Sequence, residues 1–477
     1  MASFVLNTLS LVPEALAQGE TGVITRDGTL LVSSANAIQV TLGVNDFDRV
    51  YLSVNGTAQT SGAGGYDVLD FYGANLSMVV GPEGYMQSDS GDAVHVQPNL
   101  SFTLTNAGTI IGAVNGVLAT VWTDLPVNGF NTRISNHGII DGRSNGIKVI
   151  SGSQVTYIVN DGTITGQSGY GIDAFGYYGY FPGGVRLINN GTISGGTLAY
   201  RGTDGPDSIY NTGTFNGSVD LGWRNDRYDG ALGQVLGVIT GQGGNDTIAG
   251  GAETDRVSGG DDDDLIVGRG GDDDLSGDAG NDQLLGGDGN DSMSGGGNND
   301  TMNANAGEDT LSGDGGNDIL VGQDGADSLD GGTGNDTMDG GNGDDVLEGG
   351  DDNDILRGGA GQDALAGGLG MDMLTGGQDA DIFVFRSAAE TVVGAMRDQI
   401  LDFEQGVDLI TVAALSPGVF EFKGTAAFAP SGNPELRLFE TPTGSTIVQI
   451  DVDGDGNADA EIRVANVTGL TADDFAL

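Results

Sequence analysis

The hydrophobic pattern of this chain has a period of nine residues between Gly241 and Val384. In a nine-residue frame that begins at Gly241, the sixth residue is Asp and the eighth is apolar in all 16 repeats. A single apolar residue between two small or polar ones predicts a very short strand, and the six residues before it predict a glycine-rich turn. Two such repeats would close one coil, so the pattern predicts a flattened solenoid.

A second, looser pattern occupies the region upstream of residue 241. The segments LTNAGTIIG, ISNHGIIDG, IVNDGTITG, LINNGTISG and IYNTGTFNG each carry an asparagine two residues before a glycine. The strand pattern is the same in every segment, but the number of residues between segments varies, as it does when loops of different length join the coils of a solenoid. The region therefore predicts a parallel β-solenoid of about 25 residues per coil, with weaker rungs near Gly56 and Gly84. We expect amide side chains to bridge the rungs as a ladder of Asn106, Asn136, Asn160, Asn189 and Asn211.

Composition narrows the fold class and the partners. There are 68 acidic residues against 17 basic ones, which makes nucleic acid, or any other polyanion held by charge alone, a poor partner. The 88 glycines exclude an ordinary helical domain, because glycine is costly in helix interiors. Cysteine is absent, so the chain has neither disulfides nor thiolate metal sites. No apolar stretch reaches the roughly 20 residues of a membrane span, and the predicted fold class is all-β.

The invariant aspartate of the nine-residue frame is the candidate metal ligand. Stacked turns would bring these carboxylates close to turn carbonyls of neighbouring coils, and Ca²⁺ takes about six to eight such oxygens, whereas Mg²⁺ demands tighter octahedral geometry. Four replacements of glycine at position four, Asp262, Asn298, Asp352 and Asp379, tolerate a positive φ, and Glu253 is a poorer fit. The predicted ligands are Asp246, Asp255, Asp264, Asp273, Asp282, Asp291, Asp300, Asp309, Asp318, Asp327, Asp336, Asp345, Asp354, Asp363, Asp372 and Asp381.

This frame resembles the RTX (repeats-in-toxin, hemolysin-type) calcium-binding nonapeptide, over 144 of the 477 residues. The resemblance implies a parallel β-roll with Ca²⁺ between the turns of successive coils, and roughly a dozen ions in all. The block holds 34 acidic residues and only Arg256, Arg269 and Arg357 as bases, so it should not close without cations. Extracellular calcium modules bind at about 10⁻⁴ to 10⁻³ M, so we expect the chain to stay unfolded inside the cell and to fold outside.

The region after Val384 resembles the C-terminal export domain of serralysin-type proteins, mainly at Asp398 to Ile410, Asp451 to Val464 and Asp473 to Leu477. The resemblance implies an uncleaved C-terminal signal for type I secretion and an extracellular or cell-surface location. The segment MASFVLNTLSLVPEALAQ has an Ala-x-Ala sequence but no Lys or Arg before its apolar run. We therefore do not interpret it as a cleaved signal peptide.

A second candidate calcium site lies near the C-terminus. The first, third, fifth and ninth positions of an EF-hand-like loop are occupied by Asp451, Asp453, Asp455 and Asp459, with Gly456 at the sixth. The twelfth position is Ile462 rather than Glu, which departs from the complete motif. The sequence leaves open whether this loop holds Ca²⁺ or forms an acidic hairpin turn.

Four segments follow from these patterns. Residues 1–19 would serve as a cap or a donated strand, and 20–240 would form the irregular parallel β-solenoid, which resembles passenger domains of bacterial adhesins. Residues 241–384 would form the RTX β-roll, and 385–477 a small β-rich domain that caps it and carries the secretion signal. The aromatic stretch GYGIDAFGYYGYFPGG at 169–184 could bind sugar rings or a neighbouring subunit, or pack back on the solenoid.

Solenoids with RTX tails also include polysaccharide lyases and mannuronan epimerases, so catalysis has to be considered. His95 and His137 are the only histidines, and the chain has neither HExxH nor the Asp-Pro-His-Glu motif of the epimerases. The candidate bases form no recognisable constellation: Arg133, Arg143, Lys148, Arg186 and Arg201. We therefore expect no enzyme, with a secreted lyase or epimerase-like enzyme on the N-terminal solenoid as the alternative.

The favoured hypothesis is a secreted, calcium-folded structural protein. Solenoid ends expose strand edges, which gives a physical route to assembly into a surface layer, filament or matrix. A free-standing adhesin fits the same observations. The expected partners are further copies of this chain, the type I secretion machinery in transit and a cell-surface or matrix polysaccharide.

Overall fold

The fold consists of strands joined by turns. The computed structural model describes residues 49–61, 64–120, 132–151, 155–176, 183–412, 415 and 418–477, together with the backbone of six short strands between residues 3 and 41. Its described residues include a short 3-10 helix at Ala472–Asp474 and no α-helix. Contacts divide the chain into two compact units, Met1–Gly260 and Asp261–Leu477. The predicted all-β class is confirmed.

The strands up to residue 261 are β1 Ser3–Leu6, β2 Leu9–Ser10, β3 Glu14–Leu16, β4 Thr21–Ile24, β5 Thr29–Val32, β6 Ile38–Thr41, β7 Arg49–Val54, β8 Thr57–Thr60, β9 Leu69–Val80, β10 Tyr85–Ser88, β11 Val94–Asn106, β12 Thr109–Gly112, β13 Asn115–Thr120, β14 Thr132–Asn136, β15 Ile139–Gly142, β16 Asn145–Ser151, β17 Thr156–Asn160, β18 Thr163–Gly166, β19 Tyr170–Gly176, β20 Val185–Asn189, β21 Thr192–Gly195, β22 Leu198–Thr203, β23 Ser208–Asn211, β24 Thr214–Asn216, β25 Val219–Trp223, β26 Arg227–Asp229, β27 Gln234–Val235, β28 Ile239–Gly243, β29 Thr247–Ala249 and β30 Arg256–Asp261.

The remaining strands are β31 Leu265–Gly270, β32 Asp274–Ala279, β33 Gln283–Asp288, β34 Ser292–Gly297, β35 Thr301–Ala306, β36 Thr310–Gly315, β37 Ile319–Asp324, β38 Ser328–Thr333, β39 Thr337–Asn342, β40 Val346–Asp351, β41 Ile355–Ala360, β42 Ala364–Leu369, β43 Met373–Gln378, β44 Ile382–Val384, β45 Gln399–Ile400, β46 Leu409–Thr411, β47 Glu421–Phe422, β48 Glu435–Glu440, β49 Thr446–Asp451, β50 Ala460–Val464 and β51 Phe475–Ala476.

The first unit is a parallel β-solenoid whose strands form three ladders. One ladder stacks β12, β15, β18 and β21 in register, so that Ile110, Ile140, Ile164 and Ile193 follow one another. These four side chains are fully buried, whereas alternate residues on the same strands face outward. A second ladder contains β14, β17, β20 and β23, and a third contains β16, β19, β22 and β25. The predicted parallel solenoid is confirmed.

The predicted asparagine ladder runs through this unit. Asn106 donates a side-chain hydrogen bond of 2.8 Å to Asn136, and the chain of amides continues through Asn160 and Asn189 to Asn211 at 2.9 Å per step. All five side chains are fully buried. Because each amide both accepts and donates, the ladder satisfies polar groups at a corner where every coil turns.

Two strands within residues 1–19 pair with strands of their own chain. Ser3–Leu6 lies parallel to Thr21–Ile24, and Glu14–Leu16 lies parallel to Ile38–Thr41. The backbone of this segment therefore extends the ladders of the solenoid. Its role as a cap or a donated strand stays a prediction.

The second unit begins with a β-roll in which each strand pairs with the strand two repeats later. Asp274 is in register with Ser292, and Ser292 with Thr310, so two nonapeptides make one coil as predicted. The eighth residue of each described repeat is the core, from Ile266 to Phe383, and these side chains are at most 3 % exposed. Alternation of one inward apolar residue with small or polar neighbours therefore sets the register of the whole roll.

The strands of the roll are longer than the pattern predicts. Each full strand has six residues and runs from position seven of one repeat to position three of the next, so it extends into residues that the pattern assigned to the glycine-rich turn. The strand bends at position two, where Asn305 and Gln323 have φ values of 77° and 81°. Position four is left-handed too, and Asn298 and Asp352 both have a φ of 80° there, as predicted.

The region after Val384 continues the roll before it forms a separate sheet. β43 and β44 pair in parallel with β45 and β46, which add one more coil after the last nonapeptide. β48, β49 and β50 then form an antiparallel sheet, and β50 also pairs in parallel with β45. One face of this sheet is buried, with Leu436, Val448 and Ile462 fully covered.

Candidate metal centre

The invariant aspartates of the roll form two ladders of backbone-to-carboxylate hydrogen bonds. The backbone N–H of each Asp donates to Oδ1 of the Asp in the next coil at 2.7 to 3.1 Å. Successive repeats alternate between the ladders, because two nonapeptides make one coil. One ladder contains Asp264, Asp282, Asp300, Asp318, Asp336, Asp354, Asp372 and Asp398, and the other contains Asp273, Asp291, Asp309, Asp327, Asp345, Asp363, Asp381 and Asp408.

From Asp282 to Asp381, the second carboxylate oxygen of each ladder residue is buried and has no hydrogen-bond donor among the described residues, whereas Asp408 Oδ2 accepts from the backbone of Glu404 at 2.7 Å. From Asp282 to Asp381 the side chains are at most 2 % exposed, and every Oδ2 is buried in this way. Asp398 Oδ2 at the end of one ladder and Asp226 Oδ2 in the first unit share the feature. A buried carboxylate oxygen without a donor is costly unless a cation balances it.

Glycine at position one leaves room for a second oxygen beside each carboxylate. A Cβ added to Gly313 would lie 2.5 Å from the Gly331 carbonyl oxygen and 2.6 Å from Asp318 Oδ2. The same carboxylate and carbonyl pair surrounds Gly331, next to Asp336 Oδ2 and the Gly349 carbonyl oxygen. Carboxylate and carbonyl oxygens thus lie side by side along the aspartate ladders, and Ca²⁺ prefers this set of ligand oxygens.

Burial raises the pKa of the ladder carboxyls. Desolvation raises the pKa of Asp300 and Asp345 to about 7 and that of Asp354 to about 8, and the charges of neighbouring ladder residues add to the rise. The backbone N–H that each carboxylate accepts lowers the pKa and offsets only part of this effect. A row of carboxyls close together therefore holds protons near neutral pH unless cations replace them.

Three aspartates outside the nonapeptide frame make the same backbone-to-carboxylate contact, and the sequence reasoning missed them. Asp398 and Asp408 accept backbone hydrogen bonds from Asp372 and Asp381, and Asp226 donates its backbone N–H to Asp246 at 2.7 Å. Desolvation and the charge of Asp207 raise the pKa of Asp226 to about 9. The motif Asp-x-apolar could have identified them in the sequence, because each of the three aspartates is followed two residues later by a buried apolar residue: Tyr228, Ile400 and Ile410.

Asp207 and Asp255, like Asp408, have protein donors on their second oxygen. Asp207 accepts from the backbone of Thr203 and from the Tyr200 hydroxyl through Oδ2, at 3.0 and 2.9 Å. Asp255, one of the predicted ligands, accepts from the backbone of Gly251 through Oδ2 at 2.6 Å. Asp255 therefore differs from the frame aspartates between Asp282 and Asp381, although it occupies the same position of the frame.

The C-terminal loop brings three of its four predicted ligands together. Carboxylate oxygens of Asp451, Asp453 and Asp459 lie within 4.8 Å of one another, whereas Asp455 turns to the backbone of Asn457 at 2.8 Å. Asp451 is fully buried and accepts from the backbone of Gly454 and Gly456 at 2.7 and 2.8 Å. The loop has the geometry of a carboxylate cluster, and its occupancy by Ca²⁺ stays a prediction.

Four of the five candidate bases of the first unit are stacked or paired. Arg133 and Arg186 have their Cζ atoms 4.6 and 5.8 Å from the centre of the Tyr157 ring. Lys148 and Arg201 both bind Asp173, at 3.1 and 2.6 Å.

Histidines and aromatic residues complete the predicted candidates. His95 Nδ1 lies 3.1 Å from Asp67, and His137 Nε2 lies 3.3 Å from Asp161. In the aromatic stretch at 169–184, the Tyr170 ring stacks with Arg201, whose Cζ is 4.3 Å from the ring centre. Residues 177–182, which contain the prediction's Tyr177, Tyr178, Tyr180 and Phe181, lie outside the described residues.

Comparisons with known proteins identify the repeats. A family model described as "RTX calcium-binding nonapeptide repeat (4 copies)" matches residues 240–275, 250–284, 267–302, 276–311, 312–347, 339–374 and 348–383. No curated protein matches the chain. Among the described residues, no helix is both long and apolar enough to cross a membrane.

One similar solved structure is the solution structure of a subunit of the mannuronan C5-epimerase from Azotobacter vinelandii, with 28% identity and a TM-score of 0.24. The match covers 32% of this chain and 80% of that chain. The family model coincides with the two aspartate ladders of the roll. Residues 240–383 therefore consist of RTX calcium-binding nonapeptide repeats.

Proposed function

We propose that this protein is a type I secreted, calcium-dependent extracellular structural protein that assembles into a surface layer, filament or matrix, or acts as an adhesin. The observation that carries the proposal is the row of buried Oδ2 atoms from Asp282 to Asp381 without donors among the described residues. Such a row is stable only with cations between the coils, because repulsion within a block of net charge −31 opposes closure.

Calcium is the cation that fits these ladders. Carboxylate and carbonyl oxygens lie side by side around Gly313 and Gly331, and Ca²⁺ accepts such mixed, irregular oxygen sets more readily than Mg²⁺ does. The 16 predicted aspartates, joined by Asp226, Asp398 and Asp408, would supply roughly a dozen sites. At free Ca²⁺ ten times above Kd, each independent site would add about 1.4 kcal/mol to the free energy of unfolding.

Secretion follows from the same calcium dependence. RTX-repeat proteins are typically secreted, and sites with a Kd of about 10⁻⁴ to 10⁻³ M would be empty in a cytosol and filled outside. The chain would cross the secretion machinery unfolded and fold on arrival. The coil that ends in Asp398 and Asp408 would then join the roll to the C-terminal sheet through the same cations.

An exposed apolar strip on the solenoid supports self-assembly. Val159, Ile188 and Tyr210 follow one another in register on three neighbouring strands and point outward. Ile188 and Tyr210 are 43 % and 45 % exposed. Apolar side chains in contiguous rows are typical of contact surfaces between proteins, and another copy of this chain is the partner that assembly requires.

Electron microscopy of the purified chain, refolded with millimolar Ca²⁺ or kept in EGTA, tests this function. We expect ordered sheets or filaments with Ca²⁺ that disappear on chelation, and their loss in the double variant Ile188→Ser, Tyr210→Ser. Val419→Ser is the control, because it removes a side chain that is 81 % exposed in the second unit. Dispersed single particles at millimolar Ca²⁺ would contradict self-assembly.

A second candidate function is a secreted polysaccharide-modifying enzyme on the N-terminal solenoid. The observation that favours it is the cluster around Asp173, which is 1 % exposed and binds both Lys148 and Arg201. Arg201 also donates to the Tyr170 hydroxyl at 3.1 Å, so a lysine, an arginine and a tyrosine lie together. Release of unsaturated sugar from a uronate polymer, lost in Lys148→Gln, would favour this function over the structural one.

A further inference from the structure

The outward face of the C-terminal sheet concentrates positive charge. The second unit has seven basic residues, and three of them lie on this face: Arg397, Arg437 and Arg463. Pairing between strands explains their proximity, because Arg437 stands opposite Gln449, and Gln449 opposite Glu461. A second row places Phe439 opposite Ile447, and Ile447 opposite Arg463. Along each strand they alternate with the covered residues Leu436, Val448 and Ile462, so all of them project from the opposite face, on which Ile447 and Glu461 are themselves buried.

Each guanidinium group on this face is held in place by a side chain: two of them by neutral amides and the third by a carboxylate. Arg437 donates through Nε to Gln449 at 2.7 Å, and its Cζ lies 4.5 Å from the centre of the Phe428 ring. Arg463 donates to the Gln399 side chain at 2.6 Å. Arg397 pairs with Glu461 at 2.6 Å, and Glu461 is the single acid among the residues that line this face.

Positive charge on this face is therefore left unbalanced. Three guanidinium groups surround one carboxylate, whereas the whole chain carries a net charge of −51. Among the described residues, the Nη atoms of Arg437 have no hydrogen-bond partner, so its fork remains available to an oxyanion. A planar fork already fixed by its Nε bond and by a stacked ring is preorganised for a carboxylate.

The same residues line a cavity of about 440 Å³. Its walls combine the three arginines with Gln449, Thr441 and Ile447, and Phe439 stands at the edge with 57 % of its surface exposed. A volume of this size lies within the range of roughly 300 to 1,000 Å³ that is common for ligand clefts. An exposed flat ring beside fixed guanidinium groups and amide donors suits a sugar ring that carries a carboxylate.

We propose that this cavity, which we call the arginine pocket, binds a uronate residue of an acidic polysaccharide. The carboxylate would be bound by Arg437 and Arg463, and the sugar ring would stack on Phe439. A sugar hydroxyl would accept from the second N–H of the Gln449 amide, whose first donates to Glu461 at 2.6 Å. A flat acidic surface of a second copy fits less well, because the site is concave. The inference holds for an assembled layer and for a free-standing molecule, since the pocket lies within one chain.

Isothermal titration calorimetry of the full chain, folded in millimolar Ca²⁺, tests whether the pocket binds trigalacturonate. Maltotriose is the neutral probe and sodium sulfate the simple anion. We expect trigalacturonate to bind and maltotriose not to bind. Arg437→Gln should weaken trigalacturonate binding at least about tenfold, because it removes a charge-assisted hydrogen bond. Arg386→Gln is the matched control, since Arg386 carries the same charge but pairs with Glu348 on the roll.

Phe439→Ala separates sugar recognition from simple attraction of an anion. We expect this variant to weaken trigalacturonate binding several-fold and to leave sulfate binding unchanged, with an unaltered calcium-dependent circular dichroism spectrum. Equal binding of maltotriose, or an Arg437→Gln variant that binds as well as the parent, would overturn the inference. So would calcium-dependent self-association that Arg437→Gln abolishes while trigalacturonate does not bind, because the pocket would then be a contact between copies.

Discussion

The backbone N–H of Asp336 donates a hydrogen bond of 2.8 Å to Oδ1 of Asp354, and this contact leaves Asp354 Oδ2 buried without a donor among the described residues. The two oxygens of the Asp354 carboxylate thus have different roles. Its first oxygen fixes the spacing between coils, and its second is left for a cation. The repeat of this relationship along the roll couples folding to metal binding, because the contact that builds the coil also buries the charge.

Asp354→Asn should separate the two roles. The amide oxygen can still accept from Asp336, but the site loses a charge and a metal ligand. We expect the Ca²⁺ midpoint of folding to rise and the number of bound ions to fall by one or two, as measured by circular dichroism and calcium titration. In EGTA above about pH 8, where Asp354 is ionised despite its raised pKa, the variant should be more stable than the parent, since it removes a buried charge.

Asp352→Asn is the matched control for this substitution. Asp352 is exposed, has a φ of 80° that asparagine tolerates, and carries the same charge. Its calcium midpoint should stay at the parent value. An equal shift in both variants would mean that overall charge, rather than ligation at the ladder, sets the calcium response.

The stability of the calcium-free roll should fall as pH rises from about 5 to 8. The folded-state pKa of Asp300 and Asp345 is about 7, above the ordinary value of 3.8, so the folded state binds more protons in this window. Folding is therefore favoured below the window and loses this contribution as pH passes through the raised pKa values. Thermal unfolding in EGTA at pH 5 and pH 8 measures the effect.

Calcium should reverse that dependence by replacing protons. Binding at pH 6.5 should release protons, seen as a dependence of the titration enthalpy on the ionisation enthalpy of the buffer. A calcium-free roll that becomes more stable between pH 5 and pH 8 would contradict the ladder as the source of the effect.

Gly313→Ala should reduce calcium affinity and stability together. The new Cβ would lie 2.5 Å from the Gly331 carbonyl and 2.6 Å from Asp318 Oδ2, in the space between the two oxygens. The carbonyl belongs to the backbone and cannot turn away, so we expect a loss of about 1 to 3 kcal/mol in the free energy of unfolding with Ca²⁺. Chemical denaturation at fixed Ca²⁺ measures it.

Gly297→Ala provides the comparison within the same roll. A Cβ added to Gly297 would have the Asp278 carbonyl oxygen as its nearest neighbour, at 4.0 Å, so the methyl group has space. The change should stay within about 0.5 kcal/mol. Equal losses in the two variants would show that glycine matters to the roll through backbone freedom alone.

Asn160→Ala should destabilise the solenoid without changing the response to calcium. Asn160 accepts from Asn136 and donates to Asn189, each at 2.9 Å, and it is fully buried. Its loss breaks both ladder bonds and leaves the buried Asn189 Oδ1 without its ladder donor, which costs about 1 to 3 kcal/mol. Thermal unfolding in EGTA should detect the change, whereas Asn190→Ala, an exposed neighbour, should behave as the parent.

The parts of this fold that a short, strict period determines could be predicted from the sequence. The buried apolar row, the aspartate row and the left-handed residues Asn298 and Asp352 all follow from nine-residue spacing. The asparagine ladder was also predictable, because each Asn stands at the same place relative to a glycine. In these cases successive coils have the same length and pattern, so residues at equivalent positions stack on one another. A pattern that is local in the sequence therefore predicts a contact between residues that are distant in the chain.

Contacts that cross coils of unequal length could not be predicted in this way. Asp398 lies 26 residues after Asp372 instead of 18, so the frame breaks although the ladder continues. Lys148 and Arg201 meet at Asp173 because three strands stack in register, and the loops between them hide that register in the sequence. Arg437 and Arg463 come together through antiparallel pairing, which the solenoid pattern does not anticipate.

The interleaving of the two ladders constrains how the gene for such a protein can change in length. Gain or loss of two adjacent repeats would add or remove one whole coil and leave every downstream strand above its former neighbour. Gain or loss of a single repeat would shift all later strands by half a coil, and the last coil with Asp398 and Asp408 would start from the opposite side of the roll. Duplications and deletions in even steps are therefore the tolerated ones, and homologous rolls should differ by multiples of two nonapeptides.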